Sequence, residues 1–298
     1  MKAGFADIWP AMLTPLTEEG RPALGALEQL TDLFVRQELG GLYLIGSTGQ
    51  WPLFTLEERC AIAECVVRAA ADRIPVMVHI GTVATADAVA LARHAERIGA
   101  AAVSAVAPIY YPHSAEVVFE YYRQIGAATR LPLFVYHLSL VNQLRLGPQE
   151  YVERLLAVPN IRGMKITDHD LYTFGLIHAF AGDRLLLFSG ADELMCHAVL
   201  SGAVGAIGTF YNLWGPACQR ARRAFLSGSV ETGRSFMLRF QTAISRTLAS
   251  GSVWAFLRAA MRRKYDIDIG MPRPPLGSMD RPWPEAEVER LVALIDGE

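Results

Sequence analysis

The chain has 298 residues, of which 52% are hydrophobic and 19% charged, and its formal net charge is −2. This length suits one large domain or two small ones, and the apolar content is sufficient for a sizeable core, which excludes an extensively disordered chain. The sequence has no basic cluster, so we expect no binding to nucleic acid or to an anionic membrane. We expect no membrane span either, because no run of about 18 apolar residues is free of charge, glycine or proline. The N-terminal segment lacks the apolar core of a signal peptide.

Short apolar or β-branched runs alternate along the chain with longer segments of helical periodicity. In chain order, the predicted strands are residues 8–14, 41–45, 75–80, 101–107, 131–136, 161–166, 185–188 and 204–208. The predicted helices between them include residues 24–37, 56–71, 86–98, 115–127 and 148–156. Eight strands, each followed by a helix, predict a closed parallel (β/α)8 TIM barrel of the α/β class. An open doubly wound sheet is the alternative, but no GxGxxG motif follows the first strand.

The C-terminal third continues as helix. Residues 213–265 have helical periodicity with arginine-rich faces, and a proline-rich segment at 271–275 precedes a last predicted helix near 284–296. No low-complexity tract or linker divides the chain. We therefore predict one domain, in which residues 1–212 form the barrel core and residues 213–298 form the last barrel helix and a C-terminal helical extension.

The four cysteines, Cys60, Cys65, Cys196 and Cys218, have no CxxC spacing and lie in apolar, helix-like segments. Reduced, buried thiols are the simplest interpretation of this pattern. They indicate a cytoplasmic location, because disulfides are rare in that compartment.

The use of lysine is the most informative count. The 28 basic residues comprise 25 arginines and three lysines. Lys2 is terminal, Lys264 lies in a charged segment that we expect to be solvated, and Lys165 interrupts the apolar run of the sixth predicted strand. Only lysine can lose its proton to become a neutral amine nucleophile. From this count alone, a nucleophile and a lysine paired or snorkelling at a strand end are equally acceptable interpretations of Lys165.

In a (β/α)8 barrel the reacting groups come from the C-terminal ends of the strands. The second predicted strand ends in a Gly-Ser-Thr-Gly turn that contains Ser47 and Thr48. This turn is either a tight turn with a helix cap or an anion site, in which backbone N–H groups and two hydroxyls bind a carboxylate. Tyr136 ends the fifth strand. It is either a core or interface tyrosine, or a proton-transfer group at the barrel mouth beside Lys165.

Acidic residues follow the sixth and seventh strands. Asp192 and Glu193 either cap the next helix or bind the hydroxyls of a ligand. The run from Asp168 to Asp170 invites a metal hypothesis, but adjacent loop residues rarely all face one ion and no His/Cys set accompanies them. We therefore predict no metal site.

Together, an amine nucleophile, a phenol and a carboxylate-binding turn fit a 2-oxo acid substrate. Burial disfavours the charged form of an amine, which allows the amine to attack a carbonyl carbon at neutral pH. The resulting iminium withdraws electrons, so an adjacent C–C bond can form or break.

At these motifs the chain resembles the N-acetylneuraminate lyase family, within the dihydrodipicolinate synthase-like superfamily of class I aldolases. The resemblance runs nearly end to end, from residues 11–15 to residues 270–276. The superfamily motifs are residues 46–49, Tyr136 and Lys165. The lyase-like motifs are residues 102–108, 110–112, 165–167, 190–193 and 205–212.

The resemblance implies a role for each motif. Lys165 would form a Schiff base with pyruvate, and Tyr136 would donate or accept a proton. Ser47 and Thr48 would bind the pyruvate carboxylate. Tyr110 would be a catalytic residue that lies near the site of a neighbouring subunit. The positions expected to bind the rest of the substrate are Thr167, Gly190, Asp192, Glu193, Gly208 and Thr209.

The resemblance also implies the activity of a carbon–carbon lyase. The family cleaves N-acetylneuraminate to pyruvate and N-acetylmannosamine, uses neither a metal nor an organic cofactor, and is usually a homotetramer. The partners expected for this chain are accordingly a small sugar acid and further copies of itself.

Several positions depart from the family pattern. Tyr136 is followed by His-Leu-Ser, without the usual proline, so the loop after the fifth strand is expected to have a different shape. Residues 138–141 lack the arginine with which dihydrodipicolinate synthases bind a second carboxylate. Gln50 replaces a glutamate, Thr209 a serine, and Phe210 occupies a position often held by threonine.

Two alternatives remain open at this stage. One is a class I aldolase for a shorter 2-keto-3-deoxy sugar acid, although the Asp192–Glu193 pair favours a longer polyol chain. The other is a non-catalytic sugar-acid-binding barrel. Lys165 and Tyr136 argue against a pure binder, which needs neither a nucleophile nor a proton relay.

Overall fold

The structure, a computed structural model, describes residues 4–111, 113–139 and 146–297. Within these ranges the strands are β1 (Asp7–Pro10), β2 (Leu42–Leu44), β3 (Val76–His79), β4 (Ala102–Val106), β5 (Leu133–Leu138), β6 (Ile161–Thr167), β7 (Leu186–Ser189) and β8 (Gly205–Gly208). The helices around the strands are α1 (Leu24–Arg36), α2 (Leu56–Ala70), α3 (Thr85–Arg97), α4 (Ala115–Ala128), α5 (Pro148–Leu156), α6 (Leu171–Ala181), α7 (His197–Leu200) and α8 (Tyr211–Leu226). The C-terminal helices are α9 (Val230–Ala249), α10 (Val253–Tyr265) and α11 (Glu285–Asp296).

The strands form one parallel sheet in the order β1-β8-β7-β6-β5-β4-β3-β2. A parallel bridge between Ala11 and Tyr43 joins the two ends of this order, and the N–H of Met12 donates to the carbonyl oxygen of Tyr43 at 2.8 Å. The sheet is thereby closed, and the predicted (β/α)8 TIM barrel with a C-terminal helical extension is confirmed.

Two apolar clusters account for the core. The larger one lies between the sheet and the surrounding helices. The smaller one fills the barrel with inward-facing side chains: Trp9, Ala11, Tyr43, Met77, Ala102, Phe134, Phe188 and Ile207. Because side chains alternate between the two faces of a strand, the residue two positions later faces inward again. By that rule His79, Ser104, Tyr136 and Lys165 form the next layer, towards the C-terminal ends of the strands.

Two strand boundaries differ from the sequence prediction in ways that affect the site. β1 ends at Pro10 rather than at residue 14. Ala11 and Met12 still contact Tyr43 on β2, and the backbone then leaves the sheet at Leu13, whose N–H donates to Asn212 Oδ1 at 3.0 Å. β5 continues past Tyr136 to Leu138, which pairs with Thr167. Tyr136 therefore lies inside the sheet rather than at its edge.

The helices α9–α11 contribute side chains to the larger apolar cluster, including Phe240, Phe256 and Leu291. That the barrel and these helices fold as one domain stays a prediction. The sequence predicted that Lys264 would be solvated, but on α10 this side chain is largely buried. Its side chain is 18% exposed, and its ammonium pairs with Asp296. No helix in the described part of the chain has the length and apolar character needed to cross a membrane.

Candidate active site

Lys165 lies inside the barrel, on β6, and is 4% exposed. Tyr136 is its register partner on β5 and is 3% exposed. The two residues are thus neighbours, as predicted. The predicted end of the fifth strand at Tyr136 is wrong, because β5 continues for two more residues to Leu138.

Two aromatic rings flank the side-chain nitrogen of Lys165. Its Nζ lies 4.5 Å from the centroid of the Tyr43 ring and 4.4 Å from that of Tyr136. The two centroids are 6.3 Å apart and the ring planes meet at 83°. Nζ therefore occupies the corner between two nearly perpendicular aromatic faces. The hydroxyls of Tyr43 and Ser104 are hydrogen-bonded at 3.1 Å, which holds the Tyr43 ring in this orientation.

The Tyr136 hydroxyl lies 3.4 Å from Ser47 Oγ. Burial by itself raises the pKa of this phenol, but the positive charge of Lys165 and the hydroxyls of Ser47 and Thr167 outweigh it, so the pKa is lower than usual. A phenol with a lowered pKa, next to an amine, is suited to exchanging a proton with a bound molecule.

The Gly-Ser-Thr-Gly turn does not cap a helix. The next element is a 3-10 helix beginning at Trp51, without a side-chain cap, and α2 is capped by the hydroxyl of Thr55. Ser47 is exposed at this turn, while Thr48 is buried and its hydroxyl lies 2.7 Å from that of Thr209. The turn after β2 is thus fastened to the loop after β8 by Thr48, and its Ser47 hydroxyl lies next to Tyr136.

Asp192 is a buried carboxyl group on the loop after β7. One of its oxygens accepts the N–H of Phe210 at 2.7 Å, and the other lies so close to Gly208 that a Cβ atom there would overlap it. Burial raises the pKa of Asp192 to about 7, although the Phe210 N–H acts in the opposite direction. The negative charge of Glu193 adds to the rise, and the charge of Lys165 opposes it. Asp192 therefore changes its protonation state close to neutral pH, far above the usual range of an aspartate.

Glu193 points differently. Its Oε1 lies 2.7 Å from His169 Nε2, and its side chain is 35% exposed. Asp170 caps α6 by accepting the N–H of Thr173 at 2.9 Å, and Asp168 accepts the N–H of Asp170 at 3.0 Å. Among the residues that the structure describes, no group of three or more His, Cys, Asp or Glu side chains is arranged to hold a metal ion.

Thr167 and Gly190 lie side by side on neighbouring strands. A Cβ atom on Gly190 would overlap Thr167 Oγ1, so only glycine allows this close approach. The Oγ1 atom is buried and makes no hydrogen bond of good geometry to any described residue. This hydroxyl, two residues beyond Lys165 on the same face of β6, acts on the Tyr136 phenol and retains capacity to bind a ligand.

A cavity of about 340 Å³ opens above this layer, at the C-terminal end of the barrel. Its polar lining includes five predicted substrate-binding residues: Thr167, Gly190, Asp192, Glu193 and Thr209. Phe210, Ile244 and Leu248 form an apolar side. A larger cavity of about 710 Å³ lies at the opposite end and is lined mainly by apolar residues such as Phe5 and Phe134. We place the site in the smaller cavity, because the amine and the hydroxyls are at that end.

Tyr110 is separate from this group. It lies in the loop after β4, is 76% exposed, and its ring contacts that of Tyr111 at 5.0 Å. Part of the Tyr-Tyr-Pro motif, Pro112, lies outside the described residues, as do Leu140 and Val141 of the loop after Tyr136.

Three residues of the site were not predicted from the sequence: Tyr43, Ser104 and His79. His79 is fully buried, and its Nε2 accepts the N–H of Val106 at 3.2 Å. Burial and the charges of Arg59 and Lys165 hold its pKa well below the usual value, so the ring is neutral. A signal for His79 and Ser104 was present in the sequence, because each is a polar residue two positions after an apolar residue of the same strand.

Comparison with known proteins shows which family this barrel belongs to. The model of the dihydrodipicolinate synthetase family matches residues 4–293. An N-acetylneuraminate lyase of Escherichia fergusonii is 31% identical over 290 residues, which cover 97% of each chain. The structure of N-acetylneuraminate lyase (sialic acid aldolase) from Aliivibrio salmonicida is 26% identical with a TM-score of 0.88, over 100% of this chain and 97% of that one. A sialic acid aldolase of Ruminococcus gnavus, 24% identical, shares the fold with a TM-score of 0.92, over 99% of this chain and 98% of that one. The chain belongs to the dihydrodipicolinate synthetase family.

Proposed function

We propose that this protein is a class I, pyruvate-dependent aldolase that cleaves N-acetylneuraminate or a close sugar acid to pyruvate and N-acetylmannosamine or its counterpart. The observation that carries the proposal is the position of Lys165, a buried amine next to the Tyr136 phenol and below a cavity lined with hydroxyl and carboxyl groups. The similarity to N-acetylneuraminate lyases over nearly the whole chain supports it.

In the proposed reaction the neutral Lys165 amine attacks the 2-oxo carbon of the substrate. Water leaves, and a protonated Schiff base, the iminium, remains on Nζ. A proton is removed from the hydroxyl on C4, the C3–C4 bond breaks, and its electron pair moves into the iminium to give an enamine and the aldehyde product. The enamine takes a proton at C3, and hydrolysis releases pyruvate and the free amine.

Tyr136 is the proposed proton carrier. Its hydroxyl is next to the amine and is hydrogen-bonded to Ser47, and its lowered pKa favours loss and return of a proton. Ser47 and Thr48, on the turn after β2, are proposed to bind the carboxylate of the 2-oxo acid. This arrangement would hold the carbonyl carbon against Nζ.

The rest of the substrate is proposed to occupy the cavity above Lys165. Thr167, Asp192, Glu193 and Thr209 supply hydroxyl and carboxyl groups there, and Gly190 and Gly208 provide the space in which Thr167 and Asp192 sit. This polar lining favours a polyhydroxylated chain over a short acid. A panel of sugar acids, assayed for pyruvate release with coupled lactate dehydrogenase, tests the choice. Cleavage of 2-keto-3-deoxy acids with none of N-acetylneuraminate would assign the enzyme to the shorter substrates instead.

The Schiff base is tested by borohydride reduction in the presence of pyruvate, followed by peptide mass spectrometry. We expect one adduct, on Lys165, which is absent from Lys165→Ala. Lys264→Arg is the matched control, because it removes the other lysine with a restricted exposure and should keep the adduct. A wild-type protein without an adduct, or an adduct that persists in Lys165→Ala, would rule out the class I mechanism and favour a sugar-acid-binding barrel.

We also propose a homotetramer in which Tyr110 approaches the site of a neighbouring subunit. The high exposure of Tyr110 and Tyr111 supports an interface at this loop, because large exposed aromatic pairs are typical of binding surfaces. Light scattering after gel filtration tests the assembly, and a monomer with full activity would contradict it. A cytoplasmic location is proposed from the four free cysteines.

A further inference from the structure

The Lys165 nitrogen is held between two aromatic faces rather than by an opposing carboxylate. The Nζ atom lies 4.5 and 4.4 Å from the ring centroids of Tyr43 and Tyr136, and its one side-chain hydrogen bond among the described residues is with the Tyr136 hydroxyl. Tyr136 already has a proposed role through its hydroxyl. The reaction as described gives no role to Tyr43, whose hydroxyl points away to Ser104.

We propose that Tyr43 stabilises the positively charged iminium through the face of its ring. This inference rests on the proposed function, since the iminium nitrogen is Lys165 Nζ. The amine that attacks the carbonyl is neutral, whereas the iminium carries a full positive charge, so an aromatic face favours the iminium over the neutral amine from which it forms. A cation over a ring face is attracted by the ring quadrupole, most strongly where water is excluded. Both rings and Lys165 are buried.

The surroundings of Tyr43 keep its face fixed. The ring is fully buried and meets Tyr136 edge-on at 83°, and the hydrogen bond to Ser104 anchors its far end. On the other side, a Cβ atom on Gly46 would lie 2.5 Å from the ring, so a glycine is required where the turn after β2 begins. The ring is therefore already in place before the charge appears.

The test is a series of ring fluorinations at position 43. Tyr43→Phe keeps the aromatic face and removes the hydroxyl, and phenylalanines with one, two and three ring fluorines then weaken the quadrupole at nearly constant size. The readout is the pyruvate concentration that gives half-maximal borohydride trapping. We expect a stepwise rise along the series and a rise of about tenfold or more for Tyr43→Leu, as the loss of a desolvated cation–π contact implies.

The same series at Phe134 is the control. That ring is also fully buried in the barrel, but it packs against Phe5 and Phe188 in the layer below Lys165. Fluorination there should leave trapping unchanged. A flat response at position 43, or an equal trend at both positions, would overturn the role of Tyr43. Failure of the wild-type protein to form any adduct would instead overturn the proposed function, so the two failures are distinguishable.

Discussion

Tyr136 and Lys165 are direct register partners on neighbouring parallel strands, and the lysine nitrogen lies over the tyrosine ring. In a parallel sheet such partners point to the same face, so the barrel brings the two side chains into contact although 28 residues separate them in the chain. The same contact lowers the pKa of the phenol, because the positive charge of Lys165 stabilises the phenolate.

Removal of the Tyr136 hydroxyl should separate binding from turnover. Tyr136→Phe keeps the aromatic ring beside Lys165, so the pyruvate adduct should still form in borohydride. The value of kcat for sugar-acid cleavage should fall by about 10²- to 10⁴-fold, the usual contribution of a general acid–base group. An unchanged kcat in the coupled lactate dehydrogenase assay would remove the proton-transfer role of Tyr136.

Asp192 should make stability depend on pH. Its pKa in the folded protein is about 7, above the value of about 3.9 in an unfolded chain. Below about pH 4 both states are protonated. As the pH rises, the unfolded state loses its proton first, so the folded state loses relative stability until about pH 7, by at most about 4 kcal/mol. Asp192→Asn should therefore gain stability relative to wild type as the pH rises between the two pKa values, from about 4 to about 7. Urea unfolding of both proteins at a series of pH values measures this gain.

Asp170→Asn provides the opposite control for that experiment. The Thr173 side chain and N–H lower the pKa of the Asp170 carboxyl, which is exposed at the start of α6. A lowered pKa stabilises the folded state at pH values above the pKa of the unfolded chain, so this variant should be slightly less stable than wild type above about pH 4, and the difference should vanish as the pH falls below that value. Parallel pH curves for Asp192→Asn and wild type would show that Asp192 is ionised throughout.

Gly208→Ala should act through Asp192. The new Cβ atom would overlap the Asp192 carboxyl, so that side chain must leave its place above Lys165. We expect a large loss of activity towards N-acetylneuraminate that resembles the loss in Asp192→Ala. Gly175→Ala is the matched control, because its Cβ would meet only Ser201, at 3.9 Å, and alanine favours the interior of α6 by about 1 kcal/mol. Full activity in Gly208→Ala would exclude the proposed position of Asp192 in substrate binding.

Thr48 and Thr209 should be energetically coupled. Their hydroxyls lie 2.7 Å apart and join the loops after β2 and β8. In a double-mutant cycle of Thr48→Val and Thr209→Val, we expect a coupling of about 1 kcal/mol in the free energy of unfolding, as for one hydrogen bond. Additive single effects would show that the two loops are held together by other contacts.

The alternation of short strands and helices was sufficient to predict the barrel, because the period of the apolar pattern differs between strands and helices. The isolated lysine among arginines, with the turn at 46–49, was sufficient to propose Lys165 as the nucleophile. These features are local, and each can be recognised within a few residues of the chain. Strand ends were predicted less well, since the point where β1 leaves the sheet depends on a hydrogen bond from the Leu13 N–H to the distant Asn212 side chain.

Only the tertiary structure decided which side chains meet around Lys165. The ring of Tyr43, its partner Ser104 and the neutral His79 come from three other strands, and none of them belongs to a motif with Lys165 in the sequence. The structure likewise buried Tyr136 and raised the pKa of Asp192. Burial and distance between residues far apart in the chain set these properties, because desolvation and Coulomb interaction depend on position in space and not on order along the chain.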